Sequence, residues 1–154
     1  FSYYRSNTVK KDDPWFNVGG SSNPYLENTP WGWPVDPLGL RHCMNEIYDR
    51  IQKPIFIVEN GMGAIDEADE NGYVEDDYRI EFVRDHLEWI AKAIEDGANC
   101  LGYHYWGVID NWSWCNAFKN RYGFIRVCLD DGYKRKEKKS ASWIREVART
   151  NEFE

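Results

Sequence analysis

The stretch Pro54-Ile55-Phe56-Ile57-Val58-Glu59-Asn60-Gly61 limits what this chain can fold into more than any other. Four large apolar residues between a proline and an Asn-Gly turn predict a short strand over 55–58, covered on both faces as parallel strands in α/β proteins are. The strand delivers one carboxylate, Glu59, to its C-terminal end. Barrel enzymes keep their chemistry at that end of their strands, but a glutamate opening an Asn-Gly turn is also an ordinary solvated residue. The stretch alone leaves both readings open.

The flanking sequence repeats one pattern. Phe1-Ser2-Tyr3-Tyr4 is aromatic and strand-like. Residues 5–36 carry little periodicity and many turn formers, and a loop of that length is functional or disordered. Its aromatics Trp15, Phe16, Trp31 and Trp33 are expected to cover something. Asp36 as N-cap and Pro37 at the first helical position open a helix with Leu40, Met44, Ile47 and Ile51 on one side. A second helix is capped by Asp76 or Asp77, carries a stripe of Ile80, Val83, Leu87, Ile90, Ala91 and Ile94, and stops at Asp96-Gly97.

Residues 100–106 predict the next strand, 107–121 a long loop, 122–129 a β-like stretch and 130–132 a turn. The last helix starts near Lys138-Lys139-Ser140 and packs through Ala141, Trp143, Ile144 and Val147. Strand and helix thus alternate three times, with crossovers long enough for parallel pairing. Three strands are too few to close a (β/α)8 barrel, which takes roughly 250 residues. The layout is a small open α/β sheet or the last part of a barrel, and a chain starting inside FSYY favours the second.

A net charge of −7 argues against nucleic acid or an anionic membrane as partner. Eight Trp, ten Tyr and seven Phe suit both a core and a sugar-binding cleft, where ring faces meet the C–H faces of pyranoses. Cys43, Cys100, Cys115 and Cys128 lack metal-ligand spacing and read as reduced thiols of a cytosolic protein. No secretory signal and no apolar run near eighteen residues is present, so neither export nor a membrane span is expected. His42, His86 and His104 are scattered, and His86 is expected to pack rather than catalyse. The acidic run from Glu67 to Glu75 and the basic runs Lys134-Arg135-Lys136 and Lys138-Lys139 are expected to be exposed surface.

Three motifs in fixed order resemble glycoside hydrolase family 1: Ile57-Val58-Glu59-Asn60-Gly61, the segment from Trp106 to Trp114 (WGVIDNWSW), and Arg121-Tyr122-Gly123-Phe124. SYY at 2–4, GWPVDPLGL at 32–40 and RIEFVRDHL at 79–87 extend the resemblance end to end. It implies a retaining β-glycosidase, with residues 1–154 as the C-terminal part of a single (β/α)8 TIM-barrel domain: its last three strands and helices, with long βα loops. It makes Glu59 the nucleophile, Tyr4 the tyrosine that orients it, and Trp106 the floor under the reacting sugar. The family's general acid/base lies in an Asn-Glu-Pro motif on an earlier strand, and this chain contains none. The chain alone is therefore expected to be inactive, its partner being the missing N-terminal portion of the barrel, and its apolar strand edges to drive self-association.

Substrate class turns on Ser113. Ordinary β-glucosidases of the family carry glutamate there, which would repel a 6-phosphate, whereas a hydroxyl can donate to one. The chain resembles the 6-phospho-β-glycosidase branch, which holds the phosphate with Ser, Lys and Tyr. Ser113 and Tyr122 match in place, while the usual Lys-Arg-Tyr reads Asn120-Arg121-Tyr122, with Lys119 one residue earlier. On a loop Lys119 still reaches the phosphate; in regular β structure it points to the other side. Trp114 beside the serine resembles phospho-galactosidase-type enzymes, although ordinary β-glucosidases also keep tryptophan there. The expected substrate is a phosphorylated β-disaccharide or aryl β-glycoside 6-phosphate, cleaved in the cytoplasm without metal or organic cofactor. The alternatives are an enzyme for unphosphorylated β-glucosides or β-galactosides, and a non-catalytic carbohydrate-binding half-barrel.

Overall fold

The first helix, α1 (Pro37–Ile51), starts where its cap chemistry requires. Asp36 accepts a hydrogen bond from the Gly39 N–H at 2.9 Å, and Pro37 occupies the first turn. Gln52, in the left-handed conformation, ends it. The computed structural model describes residues 1–12, 21 and 23–153; Trp15 and Phe16 lie outside the described residues. Strand β1 (Ile55–Asn60) follows, then helix α2 (Asp77–Glu95) and strand β2 (Cys100–Tyr105). A hairpin of β3 (Ile125–Cys128) and β4 (Lys134–Glu137) leads into helix α3 (Lys139–Thr150).

β1 and β2 pair in parallel, with Ile55 opposite Cys100 and Asn60 opposite Tyr105. On the other edge of β1, Ser2 bridges Glu59 in parallel, the Val58 N–H donating to the Phe1 carbonyl and the Tyr3 N–H to the Glu59 carbonyl. The three segments read as strands therefore lie side by side, all running the same way. Leu40 and Met44 of α1 and Ile90 and Ala93 of α2 bury against Ile55 and Ile57. A second cluster joins Met62, Ala64 and Phe82 to Phe124 and Ala141, tying the hairpin and α3 to the strand ends.

Four expectations are corrected. β1 is not covered on both faces: Ile57 is fully buried but its neighbour Val58 is 48% exposed. Among the described residues, helices cover one side of the parallel strands only. On α1, Leu40 and Met44 are buried but Ile51, in the last turn, is exposed. The buried face of α2 runs through Arg79, Phe82, Val83, His86, Ile90 and Ala93, rotated from the predicted stripe so that Ile94 is half exposed. Hydropathy passes over Arg79 and His86, yet both lie on the buried face, Arg79 among several polar partners and His86 with its Nδ1 on the Phe82 carbonyl.

The basic stretch is the fourth case. Lys134 and Arg135 are exposed as expected, on strand β4 antiparallel to β3, but Lys138 is 2% exposed. Its ammonium reaches two carboxylates across the chain, which offsets the cost of removing it from water. The acidic run does behave as surface, with Glu67, Glu70 and Glu75 exposed. No helix among the described residues is long and apolar enough to cross a membrane.

Candidate active site

Strand pairing alone places Glu59. As the fifth residue of β1 it emerges at the C-terminal end of the parallel strands, beside the Ser2 segment. Ser2 and Tyr4, two residues apart on an extended segment, face the same side. The Ser2 hydroxyl donates to Glu59 Oε2 at 3.0 Å and the Tyr4 hydroxyl to the same oxygen at 3.3 Å. Burial, reinforced by the Glu59 charge and hydrogen bond, pushes the Tyr4 phenol well above its ordinary pKa, so it stays a neutral donor. Both hydrogen bonds fall on one Glu59 oxygen, Oε2.

The adjacent residue fixes the platform. Asn60 is fully buried; its Nδ2 donates to the Tyr3 carbonyl at 2.7 Å, and its Oδ1 accepts from the Tyr103 hydroxyl at 2.7 Å. The Asn60 carbonyl accepts the Trp106 N–H at 2.6 Å, which brings that ring beside Glu59. Tyr4, Trp33, Glu59, Trp106, Ser113 and Tyr122 share one open cavity of about 570 Å³, with Trp112, Trp114, Asn111 and Cys115 completing its wall. Trp106 is 44% and Trp114 99% exposed, so both rings have free faces. An aromatic wall with one carboxylate and a few hydroxyls suits a pyranose ring.

A second cavity, of about 340 Å³, lies behind it. Trp33, Ser113, Cys115 and Tyr122 line both, and Trp31 and Asn120 close the far side. Asn120 is 3% exposed and donates to the Tyr122 hydroxyl at 3.0 Å. Lys119 lines neither cavity; it is exposed, with its ammonium 5.9 Å from the centre of the Trp31 ring. Of the sequence-predicted site residues, the structure brings together Tyr4, Glu59, Trp106, Ser113, Trp114 and Tyr122 and leaves Lys119 at the rim.

The loop carrying Ser113 closes on itself, Ser113 and Ala117 exchanging backbone hydrogen bonds at 2.8 and 2.9 Å. Its two stems are pinned by Asp110, whose backbone N–H donates to the Ile125 carbonyl and whose carboxylate accepts from the Gly123 N–H at 3.0 Å. A Cβ on Gly123 would lie 2.3 Å from the Asp110 nitrogen, so only glycine permits this approach. Lys138 bonds Asp110 at 2.9 Å and Asp66 at 2.6 Å. Arg79 bonds Asp76 at 2.9 Å and donates to the Met62 and Tyr122 carbonyls and the Tyr105 hydroxyl.

With Arg121 beside Asp110, three carboxylates face three cations behind the loop. Burial alone would lower the Arg79 pKa; Tyr105, Tyr78 and Asp66 reverse that and hold it above its ordinary value. Sequence reading missed this network, and also Ser2 and Trp112; Trp33, expected to cover something, lines both cavities. The alternation of a strand through Ser2 and Tyr4 was the signal for Ser2. The network had none, because its partners are far apart in the chain, Lys138 and Asp110 by 28 residues.

Residues 1–153 match the family model described as Glycosyl hydrolase family 1. The chain belongs to glycosyl hydrolase family 1. Among its family 1 relatives it is 50% identical to a 6-phospho-beta-glucosidase of Clostridium longisporum, over 98% of this chain and 35% of that protein. It is 46% identical to the aryl-phospho-beta-D-glucosidase BglH of Bacillus subtilis (strain 168), over 98% of this chain and 34% of that protein. Among solved family 1 structures, the β-glucosidase from Thermotoga maritima superimposes with a TM-score of 0.87 at 28% identity, covering 99% of this chain and 34% of that one. The arrangement of three helices and four strands is thus part of a (β/α) barrel, and the chain spans about a third of the length of the relatives it matches.

Proposed function

We propose that this chain is the C-terminal, nucleophile-bearing portion of a single (β/α)8 catalytic domain that hydrolyses 6-phospho-β-glucosides or 6-phospho-β-galactosides with retention. The observation that carries the reading is the Glu59 carboxylate, held by Ser2 and Tyr4 through one oxygen on the wall of an aromatic cavity. In the first step Glu59 attacks the anomeric carbon, the bond to the leaving oxygen breaks, and a carboxylic acid from the remaining barrel protonates that oxygen. In the second step water attacks the glycosyl ester, giving a proton to the same group and releasing Glu59. Two carboxyls complete this cycle, so no metal or organic cofactor enters it.

Trp106 stacks on the sugar. The Ser113 and Tyr122 hydroxyls donate to the 6-phosphate, Trp114 borders the sugar beside Ser113, and Lys119 adds positive charge from the rim. The phosphorylated substrate is supported by the names of relatives 43–50% identical to this chain, among them a phospho-cellobiase of Klebsiella oxytoca. A cytoplasmic setting fits a substrate phosphorylated during sugar uptake and four cysteines without disulfides. A second reading, action on unphosphorylated β-glucosides, is favoured by one observation: no lysine or arginine is among the described residues lining the cavity beside Glu59. Carbohydrate binding without turnover would use the same rings and leave Glu59 without a task.

Turnover by the full-length protein containing this chain, of an aryl β-glucoside 6-phosphate and its unphosphorylated counterpart side by side, separates these readings. A strong preference for the phosphorylated compound is expected. Preference for the plain glucoside would establish the second reading, and turnover of neither would leave the binding module.

A further inference from the structure

Three successive residues beside Glu59 are all held by one short segment, residues 33–39. Neighbours on an extended segment point to opposite sides, so Tyr4 turns to the cavity while Tyr3 enters the core, where it is 6% exposed. The Tyr3 hydroxyl donates to the Asp36 carbonyl at 2.7 Å. On the cavity side the Trp33 ring meets the Tyr4 ring edge-on, with 6.0 Å between centres and 69° between planes. The Arg5 guanidinium lies 5.0 Å from the centre of the same indole, within the range of a cation–π contact.

The gripping segment is itself anchored. The Thr29 N–H donates to the Trp33 carbonyl and the Val35 N–H to the Glu27 carbonyl, both at 2.8 Å, and Asp36 caps α1. A Cβ on Gly39 would lie 2.3 Å from the Tyr3 hydroxyl oxygen, so the first turn of α1 is shaped around the tip of that side chain. The backbone bonds of Tyr3 to the Glu59 N-terminal neighbourhood are of another kind: its N–H donates to the Glu59 carbonyl and its carbonyl accepts from Asn60, which sets the register of the segment along β1. Its rotation about its own axis is left to the side chains on its two faces. A phenol oxygen stands well away from its own backbone, so a small rotation carries the Tyr4 hydroxyl out of hydrogen-bond range of Glu59.

We propose that Tyr3 and Trp33 are positioning residues for the nucleophile, acting through Ser2 and Tyr4 by fixing the rotation of the segment that carries both hydroxyls. This rests on the reading of Glu59 as nucleophile given above. The stretch GWPVDPLGL at 32–40 thereby gains a task at the site. Its tryptophan steadies Tyr4 from the front, and its Asp36 carbonyl and Gly39 receive Tyr3 from behind.

The test is kcat and KM of the full-length protein on whichever it turns over faster, an aryl β-glucoside 6-phosphate or the plain glucoside, with unfolding followed in parallel. Tyr3→Phe keeps the ring and removes its bond to Asp36; Trp33→Leu removes the indole from a position 42% exposed. Each is expected to lower kcat about tenfold, the scale of one hydrogen bond or one aromatic pair, and Tyr3→Phe to leave KM unchanged. In a background carrying both Ser2→Ala and Tyr4→Phe, neither should cost anything further, because a residue that acts through others loses its effect with them. A tenfold cost that persists in that background, or a kcat unmoved by both substitutions while stability falls, overturns the proposal. Should Tyr3→Phe fail to fold, Trp33→Leu decides by the same comparison. Turnover lost in Glu59→Gln but untouched by Tyr3→Phe and Trp33→Leu rejects the positioning alone, whereas turnover retained in Glu59→Gln rejects the nucleophile reading beneath it.

Discussion

Behind the loop that follows β2, three carboxylates meet three cations in the interior; in front of it, aromatic rings and neutral hydroxyls surround one acidic side chain. One short stretch of chain serves both sides: Asp110 and Arg121 face back, Ser113 and Tyr122 face forward. At the back each charge finds an opposite charge within the chain. At the front the Trp31 Nε1 and the Asn120 Oδ1 have no hydrogen-bond partner among the described residues. The contrast separates a region that specifies one loop geometry from a region whose ring faces and hydroxyls are left open to a cavity. Polar groups at the back lock the loop because a buried ion that loses its partner is expensive; at the front, ring faces and hydroxyls stay open to a cavity where a substrate can meet them.

That division can be broken from either side. The largest effect is expected from Glu59→Gln, which keeps the shape of the front and removes its nucleophile. Turnover by the full-length protein should fall roughly 10⁴–10⁶-fold while binding of substrate, followed by tryptophan fluorescence, persists. Retained turnover would remove Glu59 from the chemistry. At the back, Lys138→Met leaves Asp66 and Asp110 without their shared cation and should destabilise the protein by about 3–5 kcal/mol, read by denaturant unfolding. A change within about 0.5 kcal/mol, the range of ordinary surface substitutions, would show that Lys138 does not hold the loop.

His86 sharpens the comparison through pH. It is fully buried, its Nδ1–H donates to the Phe82 carbonyl at 2.7 Å, and burial lowers its pKa to about 4. The unfolded histidine, near 6.5, takes up a proton first as pH falls, so native stability declines from about pH 6.5 toward pH 4 by up to roughly 3 kcal/mol. His86→Gln should flatten that decline, and an equally steep curve in the variant would assign it to other groups. The smallest effect is expected at Tyr4: Tyr4→Phe leaves Ser2 as the donor to Glu59 and should lower kcat about tenfold, the scale of one hydrogen bond, with unfolding unchanged. A loss as large as that of Glu59→Gln would make Tyr4 part of the chemistry rather than its orienter.

What was legible in the sequence was local. Asp36-Pro37 announces α1 because a cap and a fixed φ act on their own neighbours, and Ile55–Val58 announces β1 because its run of apolar residues is bounded by Pro54 and Asn60-Gly61. Glu59, Tyr4, Trp106, Ser113 and Tyr122 could be nominated because each sits inside a short motif. The rest depended on distant partners. Lys138 looks like surface until Asp66 and Asp110 arrive from elsewhere in the chain, and the buried face of α2 is misjudged wherever a polar residue is satisfied inside. Trp31 stood out only as one aromatic of a long loop and Asn120 only as a departure from Lys-Arg-Tyr, since their meeting at one cavity is a product of the fold.

Asn60 carries a consequence for how such a site is assembled. Its side chain reaches the Tyr3 carbonyl on one neighbouring segment and the Tyr103 hydroxyl on the other, and its carbonyl holds the Trp106 amide. One amide thus samples the alignment of three parallel segments at once. A slip of one residue in any of them would strand this buried group without partners and turn side chains to the wrong face. Asn60 therefore acts as a checksum on strand register, read at the position next to Glu59, so that a chain assembled out of step is penalised where misalignment would do most harm.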